Sequence, residues 1–188
     1  MAFTAAGCLA LFMILCISQA YSHVEQKIHP VMKGPYTSSI EELQTKIKYQ
    51  FKDKSLLAKT MTHASFSLDN NAVLNILGSE IIEAAISFHY LSKNSTISKG
   101  DLTSQKAKIS NCSALSKDAF DLQLNELIRV APKVDPKAQI IVCGCYRALF
   151  GAIGVDAKSL DVAREKFWIR QGRNNIKNVQ KHFPQQDL

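Results

Sequence analysis

His63 is a residue of this 188-residue chain whose type could support chemistry. It stands in the run Thr62-His63-Ala64-Ser65, where an imidazole could transfer protons, bind a metal ion or contact an anion. No activated nucleophile or carboxylate accompanies it within the run. The sequence therefore favours a hydrogen-bonded structural histidine, with a binding role as the alternative.

The cysteines are the second group of reactive side chains. Cys8 and Cys16 lie in an apolar N-terminal segment, which leaves Cys112, Cys143 and Cys145 in the rest of the chain. An odd number of thiols leaves at least one unpaired unless two chains pair, and a Cys-x-Cys alone offers too few ligands for a metal site. We predict buried cysteines that act as small hydrophobic residues, without a disulfide framework.

Helices are expected to position the histidine and the cysteines, because apolar residues recur at helical spacing along the chain. In the run from Asn71 to His89 they fall at positions 74, 77, 81, 85 and 88, which predicts a long core helix with one buried face. Gly78 in its middle predicts close packing against another helix or backbone. Further helices are predicted at about 39–49, 53–62, 100–112, 114–119, 137–153 and 156–168, and the apolar positions assigned to them include Phe120, Ile140 and Leu160.

Three motifs in this order give the chain a family resemblance. Thr62-His63-Ala64-Ser65 is followed by Asn71-x-x-Leu74-x-x-Leu77-Gly78, then by Gly100-Asp101-Leu102-Thr103 with Lys106-Ala107-x-Ile109, and finally by Ala148-Leu149-Phe150-Gly151. Together they resemble the ribonuclease III domain. The resemblance implies an all-α fold with no sheet, covering residues 38–170, with residues 171–188 as a polar tail.

The resemblance also implies a metal mechanism, in which Mg²⁺ held by carboxylates activates water for attack on a phosphodiester. The five positions that carry those carboxylates in the family are occupied here by residues that are not acidic. They are Ala72, Asn75, Ser79, Gly144 and Arg147. We therefore expect the Mg²⁺ cofactor to be lost and double-stranded RNA not to be cleaved.

An alternative is an active endoribonuclease whose metal site is rebuilt from other acids. Glu83 lies one helical turn after Ser79 and so shares the face of the lost carboxylates, and Glu80 is its neighbour. Two acids on one helix make a poor site for Mg²⁺. We expect Arg147 to fill part of the vacated site and to pair with Glu80 or Glu83.

Charge and family together predict the partners. The formal net charge of +7 could attract a polyanion, and Lys106, Lys108 and His63, in or beside the family motifs, are the candidate binding residues for double-stranded RNA. The resemblance implies a homodimer. An unidentified protein partner, or a structural protein of the secretory pathway that binds no nucleic acid, are the alternatives.

The N-terminal segment predicts the compartment. Residues 1–20 carry no charge and end in Ser18-Gln19-Ala20, which is typical of a secretory signal peptide cleaved after Ala20 and followed by a linker at 21–37. An endoplasmic-reticulum or extracellular protein with no membrane span after cleavage is expected, and a mitochondrion or another organelle is the alternative. The sequons at Asn94 and Asn111 are candidate glycosylation sites, the second at a helix junction.

Overall fold

The computed structural model of the chain describes the backbone of residues 35–182 and the side chains of residues 38–172. The chain divides into two compact units, Met1–Thr37 and Ser38–Leu188, and the described side chains belong to the second. The predicted signal peptide at 1–20 lies outside the described residues, as does the predicted linker up to residue 34.

Most of the described residues belong to helices. In chain order they are α1 (Pro35–Ile47), α2 (Lys54–Thr60), α3 (Ala72–Lys93), α4 (Lys99–Ser110), α5 (Cys112–Asp121), α6 (Gln139–Ala157) and α7 (Leu160–His182), with a 3₁₀ turn at Leu124–Glu126. The β-type pairing in this range is an isolated bridge between Thr62 and Arg129. The predicted all-α fold without a sheet is confirmed.

The ends of several helices differ from the sequence-based prediction, and Asp156, predicted to begin the last helix, lies in α6. Helix α1 begins at Pro35, inside the predicted linker, because proline is well suited to a first helical turn. Helix α7 continues to His182, so much of the predicted polar tail has a helical backbone. A polar segment without an apolar stripe gives no periodic signal from which a helix could be predicted.

The core of the fold is the crossing of α3 and α6, which touch through glycines. A methyl group on Gly78 would lie 1.7 Å from the carbonyl oxygen of Arg147, and one on Gly151 would lie 2.1 Å from that of Leu74. The two backbones therefore meet with no room for a side chain between them. The close packing predicted at Gly78 is confirmed.

The predicted buried face of α3 is confirmed in its main part. Leu74, Ile81 and Ala85 are buried, as are Leu149 and Ile153 on α6. The prediction was wrong at both edges of the stripe, because Leu77 is half-buried and Phe88 is 58% exposed. Three other residues expected in apolar stripes are also exposed, namely Phe120, Ile140 and Leu160.

Helices α3 and α6 are also long and apolar enough to cross a bilayer by length and composition. A core helix of a domain passes the same test, and these two helices are the central pair of this one. Their apolar character is explained by the packing at the crossing.

Candidate functional site

The helix crossing brings the vacated carboxylate positions together. Asn75 and Ser79 lie one turn apart on α3, and Gly144 and Arg147 lie three residues apart on α6. A methyl group on Gly144 would lie 3.5 Å from the Asn75 side-chain nitrogen, and the backbone of Arg147 touches Gly78. Ala72, at the start of α3, is exposed. We call the region bounded by Asn75, Ser79, Gly144 and Arg147 the vacated cleft.

Arg147 is held by a backbone carbonyl at the edge of this cleft. Its guanidinium Nη2 donates a hydrogen bond to the carbonyl oxygen of Ser110, 3.0 Å away, and its side chain is half-buried. Ser110 is the last residue of α4, where helical carbonyls lack partners within the helix. The expected pairing of Arg147 with Glu80 or Glu83 was wrong.

Glu83 has a different cationic partner. Lys106 on α4 places its Nζ 2.9 Å from Glu83 Oε2, so the carboxylate one helical turn after Ser79 forms an ion pair within the protein. Lys106, one of the two lysines predicted to contact RNA, is thereby engaged within the protein. Lys108, on the same helix, is exposed.

The residues present do not fit a magnesium ion. Mg²⁺ in proteins requires carboxylate oxygens and waters in octahedral geometry, whereas the vacated cleft offers an amide, a hydroxyl and a guanidinium. Among the residues that the structure describes, no group of three or more His, Cys, Asp or Glu side chains could hold a metal ion. The chemistry of the donors, and the charge of Arg147 in particular, favours anions over cations at this position.

A disulfide lies beside the cleft and corrects the prediction for the cysteines. Cys112, at the first turn of α5, is bonded to Cys143, which immediately precedes Gly144 on α6. Cys145 is a free, buried thiol, and burial raises its pKa well above its usual range. The odd count allowed one bond and one free thiol, but it could not choose the pair.

The disulfide and Arg147 together fix one corner of the fold. Ser110 and Cys112 flank the junction of α4 and α5, and they are joined to Arg147 and Cys143, four residues apart on α6. Residues four apart lie on one face of a helix. The junction is therefore attached to α6 at two points, one covalent and one hydrogen-bonded, next to the vacated cleft.

His63 is hydrogen-bonded within the protein, as the sequence favoured. Its Nδ1 is 2.9 Å from Ser65 Oγ, and the same hydroxyl accepts a hydrogen bond from the backbone N–H of Ala131, 3.1 Å away. The backbone N–H of His63 donates to the carbonyl oxygen of Arg129, 3.0 Å away. These contacts tie the histidine run to the segment before α6.

Arg129 is a structural residue that the sequence analysis missed. Its Nη2 donates to the carbonyl oxygen of Ala58, 3.1 Å away, and to the hydroxyl of Thr62, and its guanidinium lies 5.4 Å from the centre of the Phe66 ring. It holds the end of α2 against the loop before α3. No local sequence signal distinguishes this arginine from the chain's other basic residues.

Aromatic and basic side chains also meet between the end of α3 and α7. The His89 ring stacks on Trp168 with 4.2 Å between ring centres, and the Arg164 guanidinium lies 4.3 Å from the centre of the Phe88 ring. Burial, and then the nearby Lys93, lower the pKa of His89. The stacking and the lowered pKa favour a neutral imidazole that holds α7 to α3.

The two sequons differ in their surroundings. Asn94 is exposed at the end of α3, and its side-chain oxygen accepts hydrogen bonds from the backbone N–H and hydroxyl of Thr96, at 3.0 and 2.8 Å. Asn111 caps α5 by accepting from the Ala114 N–H, 2.9 Å away, and donates to the Ala107 carbonyl oxygen, 2.6 Å away. The residue after Asn111 is the disulfide-bonded Cys112.

Comparison with known proteins agrees with this fold. The ribonuclease-III-like family profile matches residues 53–170, and the chain belongs to this family. It is 40% identical over 151 residues to Protein NUCLEAR FUSION DEFECTIVE 2 of Arabidopsis thaliana, covering 80% of this chain and 78% of that protein. It is 34% identical over 119 residues to Ribonuclease 3 of Variovorax paradoxus, covering 61% of this chain and 52% of the bacterial protein.

Solved structures share the architecture. The nuclease domain of ribonuclease III from Campylobacter jejuni, described with structural flexibility in a region involved in dimer formation, superposes with a TM-score of 0.67 at 26% identity. The match covers 78% of this chain and 99% of that domain. Dicer from Pichia stipitis superposes with a TM-score of 0.53 at 17% identity, covering 70% of this chain and 59% of that chain, a likeness of fold alone.

Proposed function

We propose that this chain is a non-catalytic ribonuclease III-like protein, which acts as a binding module in nuclear fusion (karyogamy) during plant reproductive development. The observation that carries the non-catalytic part is Arg147 at a position where the family has a carboxylate. Two unit charges of the same sign about 4 Å apart repel by about 4 kcal/mol at an intermediate effective dielectric. A divalent cation beside this guanidinium would be repelled more strongly.

The nuclear-fusion part is supported by the similarity to the Arabidopsis protein, which extends over most of both chains. The test is expression of this chain in Arabidopsis plants that lack that protein, with fusion of nuclei scored in the reproductive tissue. Restored fusion is expected, and it should survive the change Glu83→Gln, because no carboxylate is needed for binding. Failure of a stably expressed chain to restore fusion would contradict the proposed role.

A homodimer is part of this proposal, and the exposed apolar face of α3 supports it. Val73 and Ile76 lie three residues apart on α3 and are 72% and 67% exposed, and Leu68, in the preceding loop, is fully exposed. Exposed apolar residues grouped on one face are typical of an interaction site. We propose a second copy of the chain as the partner for this face, with an unidentified protein as the alternative occupant.

Double-stranded RNA is a second candidate partner, favoured by the net charge of +7 and the sequence pI of about 9.2. Binding that rests on phosphate contacts is independent of sequence and falls steeply with salt. Titration of duplex RNA at low and high salt is the test. An absence of binding at low salt would leave only the protein partner.

We further propose a secretory location, with cleavage after Ala20 and no membrane span in the mature protein. The Cys112–Cys143 disulfide supports an oxidising compartment, and the exposed sequon at Asn94 fits one in which glycans are added. N-terminal sequencing of the mature protein should begin at Tyr21, and glycosidase treatment should remove one glycan from Asn94. A start far downstream, or import into mitochondria, would contradict this location.

A further inference from the structure

The two sequons hold their side-chain nitrogens differently, and this nitrogen, Nδ2, is the atom that a glycan is attached to. At Asn94 the side-chain oxygen accepts from the N–H and hydroxyl of Thr96, and Nδ2 donates to no acceptor among the described residues. At Asn111, Nδ2 donates to two carbonyl oxygens, those of Ala107 and Lys108, at 2.6 and 3.1 Å. The acceptor nitrogen is therefore available at Asn94 and engaged at Asn111.

The rest of the second sequon belongs to a helix. Asn111 follows α4 and caps α5, and Cys112 and Ser113 lie in the first turn of α5. Cys112 is also bonded to Cys143 on α6. An N-glycan is added to a sequon that is accessible in a loop. In the oxidised fold this sequon is fixed by a cap, a helical turn and a covalent bond, although the Asn111 side chain is exposed.

The disulfide is the strongest attachment of this corner. Helix α4, all of which the structure describes, contains no buried residue, and the first buried residue of α5 is Leu115, which comes after the sequon. Without the bond, the junction would be attached to α6 by the single hydrogen bond from Arg147 to the Ser110 carbonyl. Segments with few buried apolar contacts open locally at low cost. Loss of the bond should therefore release the sequon while the core stays folded.

We propose that Asn111 is a conditional N-glycosylation site, which accepts a glycan only in chains that lack the Cys112–Cys143 bond. The inference rests on the proposed secretory location. In the transfer, Nδ2 loses a proton and bonds to the anomeric carbon of the first sugar, and the lipid diphosphate that carried the sugar leaves. In the competing reaction the two thiols pass two protons and two electrons to the disulfide of an oxidising enzyme, which is reduced to two thiols.

The glycan also opposes the closed form of the corner. A glycosylated Nδ2 keeps one hydrogen, so it can no longer donate to the carbonyl oxygens of both Ala107 and Lys108. A bulky, hydrated sugar would stand at the same junction. A glycan on Asn111 therefore marks chains in which oxidation of this corner has failed.

The experiment expresses the full chain in eukaryotic cells and counts the mobility steps that a glycosidase removes, with mass spectrometry of the peptide that contains Asn111. The wild type should lose one step, from Asn94. Cys143→Ser breaks the bond and leaves all three residues of the second sequon intact, and it should lose two steps. Adding Asn111→Gln to Cys143→Ser should return the count to one.

Two control variants separate the bond from other effects. Cys145→Ala removes a buried thiol that is not bonded, two residues from Cys143, and should keep the wild-type count. Gly78→Ala strains the crossing of α3 and α6 but keeps both bonded cysteines, and it should also lose one step. A gain limited to Cys143→Ser therefore cannot be assigned to general instability of the chain.

A second glycan on Asn111 in Cys143→Ser, with one glycan in the wild type and both controls, supports the conditional site. Three results overturn it: no second glycan in Cys143→Ser, a glycan on Asn111 in oxidised wild type, or an equal gain in Gly78→Ala. In each of these results Asn94 still carries its glycan, so the proposed location stands. Absence of a glycan from Asn94 as well would overturn the secretory location, and this inference with it.

Discussion

Asp156, near the end of α6, fixes the segment that joins α1 to α2. Its carboxylate accepts hydrogen bonds from the Tyr49 hydroxyl and from the backbone N–H groups of Lys52 and Asp53, at 2.6, 3.0 and 2.8 Å. Burial raises the pKa of this carboxyl group, but the three hydrogen bonds and the charge of Lys52 outweigh burial and hold the pKa below its usual value of 3.8. The charged form is therefore stabilised in the folded state.

We expect Asp156→Asn to lower the free energy of unfolding at pH 7 by about 2 kcal/mol, since hydrogen bonds to a charged group are lost. A carboxyl whose folded-state pKa is lowered stabilises the protein above its unfolded-state pKa, and this contribution disappears as the pH falls through the folded-state pKa. The difference between wild type and variant should thus be full at pH 7 and shrink below about pH 4. Urea unfolding at several pH values measures it, and an equal difference at pH 7 and at pH 2.5 would refute the assignment.

The sequence identified the residues that replace the family's carboxylates, but it did not predict the contacts that these residues make. The loss of carboxylates at Asn75, Ser79 and Arg147 could be read from the chain directly. The partner of Arg147 could not, because it is the backbone carbonyl of Ser110, which any residue at that position would present. Motif reasoning finds side chains with special chemistry and cannot find a carbonyl left open at a helix end.

The stability of the crossing between helices α3 and α6 should depend on which of its glycines is substituted. We predict that Gly78→Ala lowers the free energy of unfolding by at least about 3 kcal/mol, because its methyl group would overlap the Arg147 carbonyl and the two helices would have to separate. Gly144→Ala is the matched control. It should stabilise the protein by up to about 1 kcal/mol, as expected for alanine in a helix where space is available. Thermal and urea unfolding compare the two, and equal effects would show that the close approach at Gly78 is not essential.

The disulfide joins the α4–α5 junction to α6, and its removal should destabilise the fold. Cys112→Ser should lower the free energy of unfolding by about 3 to 4 kcal/mol, since the bond closes a loop across a sequence separation of 31. Reductant should destabilise the wild type by the same amount and leave the variant unchanged. Cys145→Ala, the control, removes a thiol that is not bonded, should cost about 1 kcal/mol, and should keep its sensitivity to reductant. A wild type indifferent to reductant would contradict the bond.

Periodicity predicted the helices where an apolar stripe is buried. It succeeded for Leu74, Ile81 and Ala85 and failed for Phe88 and Ile140, which have the same residue character and are exposed. Periodicity identifies an apolar face, but whether another part of the chain covers that face depends on the tertiary arrangement. The extension of α7 was missed for the opposite reason, because its sequence carries no apolar stripe.

For the whole molecule, the exposed face of α3 predicts self-association. At tens of micromolar, a concentration at which an interface of standard size holds, sedimentation of the mature chain should give a dimer. Ile76→Glu should give a monomer, because it puts a charge in the centre of the apolar face. The same change at Leu160, an exposed apolar residue on α7, should leave the dimer intact. A monomeric wild type, or a dimer insensitive to the change at Ile76, would contradict this interface.

Family membership and fold could both be predicted from the sequence, because the three motifs are local and follow one another in the family's order. The location of the protein and its partner depend on molecules outside the chain and remain predictions. The spacing of the cysteines could not assign the disulfide. Its presence in the structure supports an oxidising compartment.

The loss of catalysis at the vacated cleft is the central claim, and it is tested most directly by incubating the purified, oxidised mature protein with duplex RNA and excess Mg²⁺ or Mn²⁺. We expect the RNA to remain intact with either ion, because Asn75, Ser79, Gly144 and Arg147 provide no carboxylate and Glu83 is paired with Lys106. Metal-dependent cleavage by the wild type that disappears in Glu83→Gln would show that the metal site has been rebuilt, and the non-catalytic interpretation would be wrong.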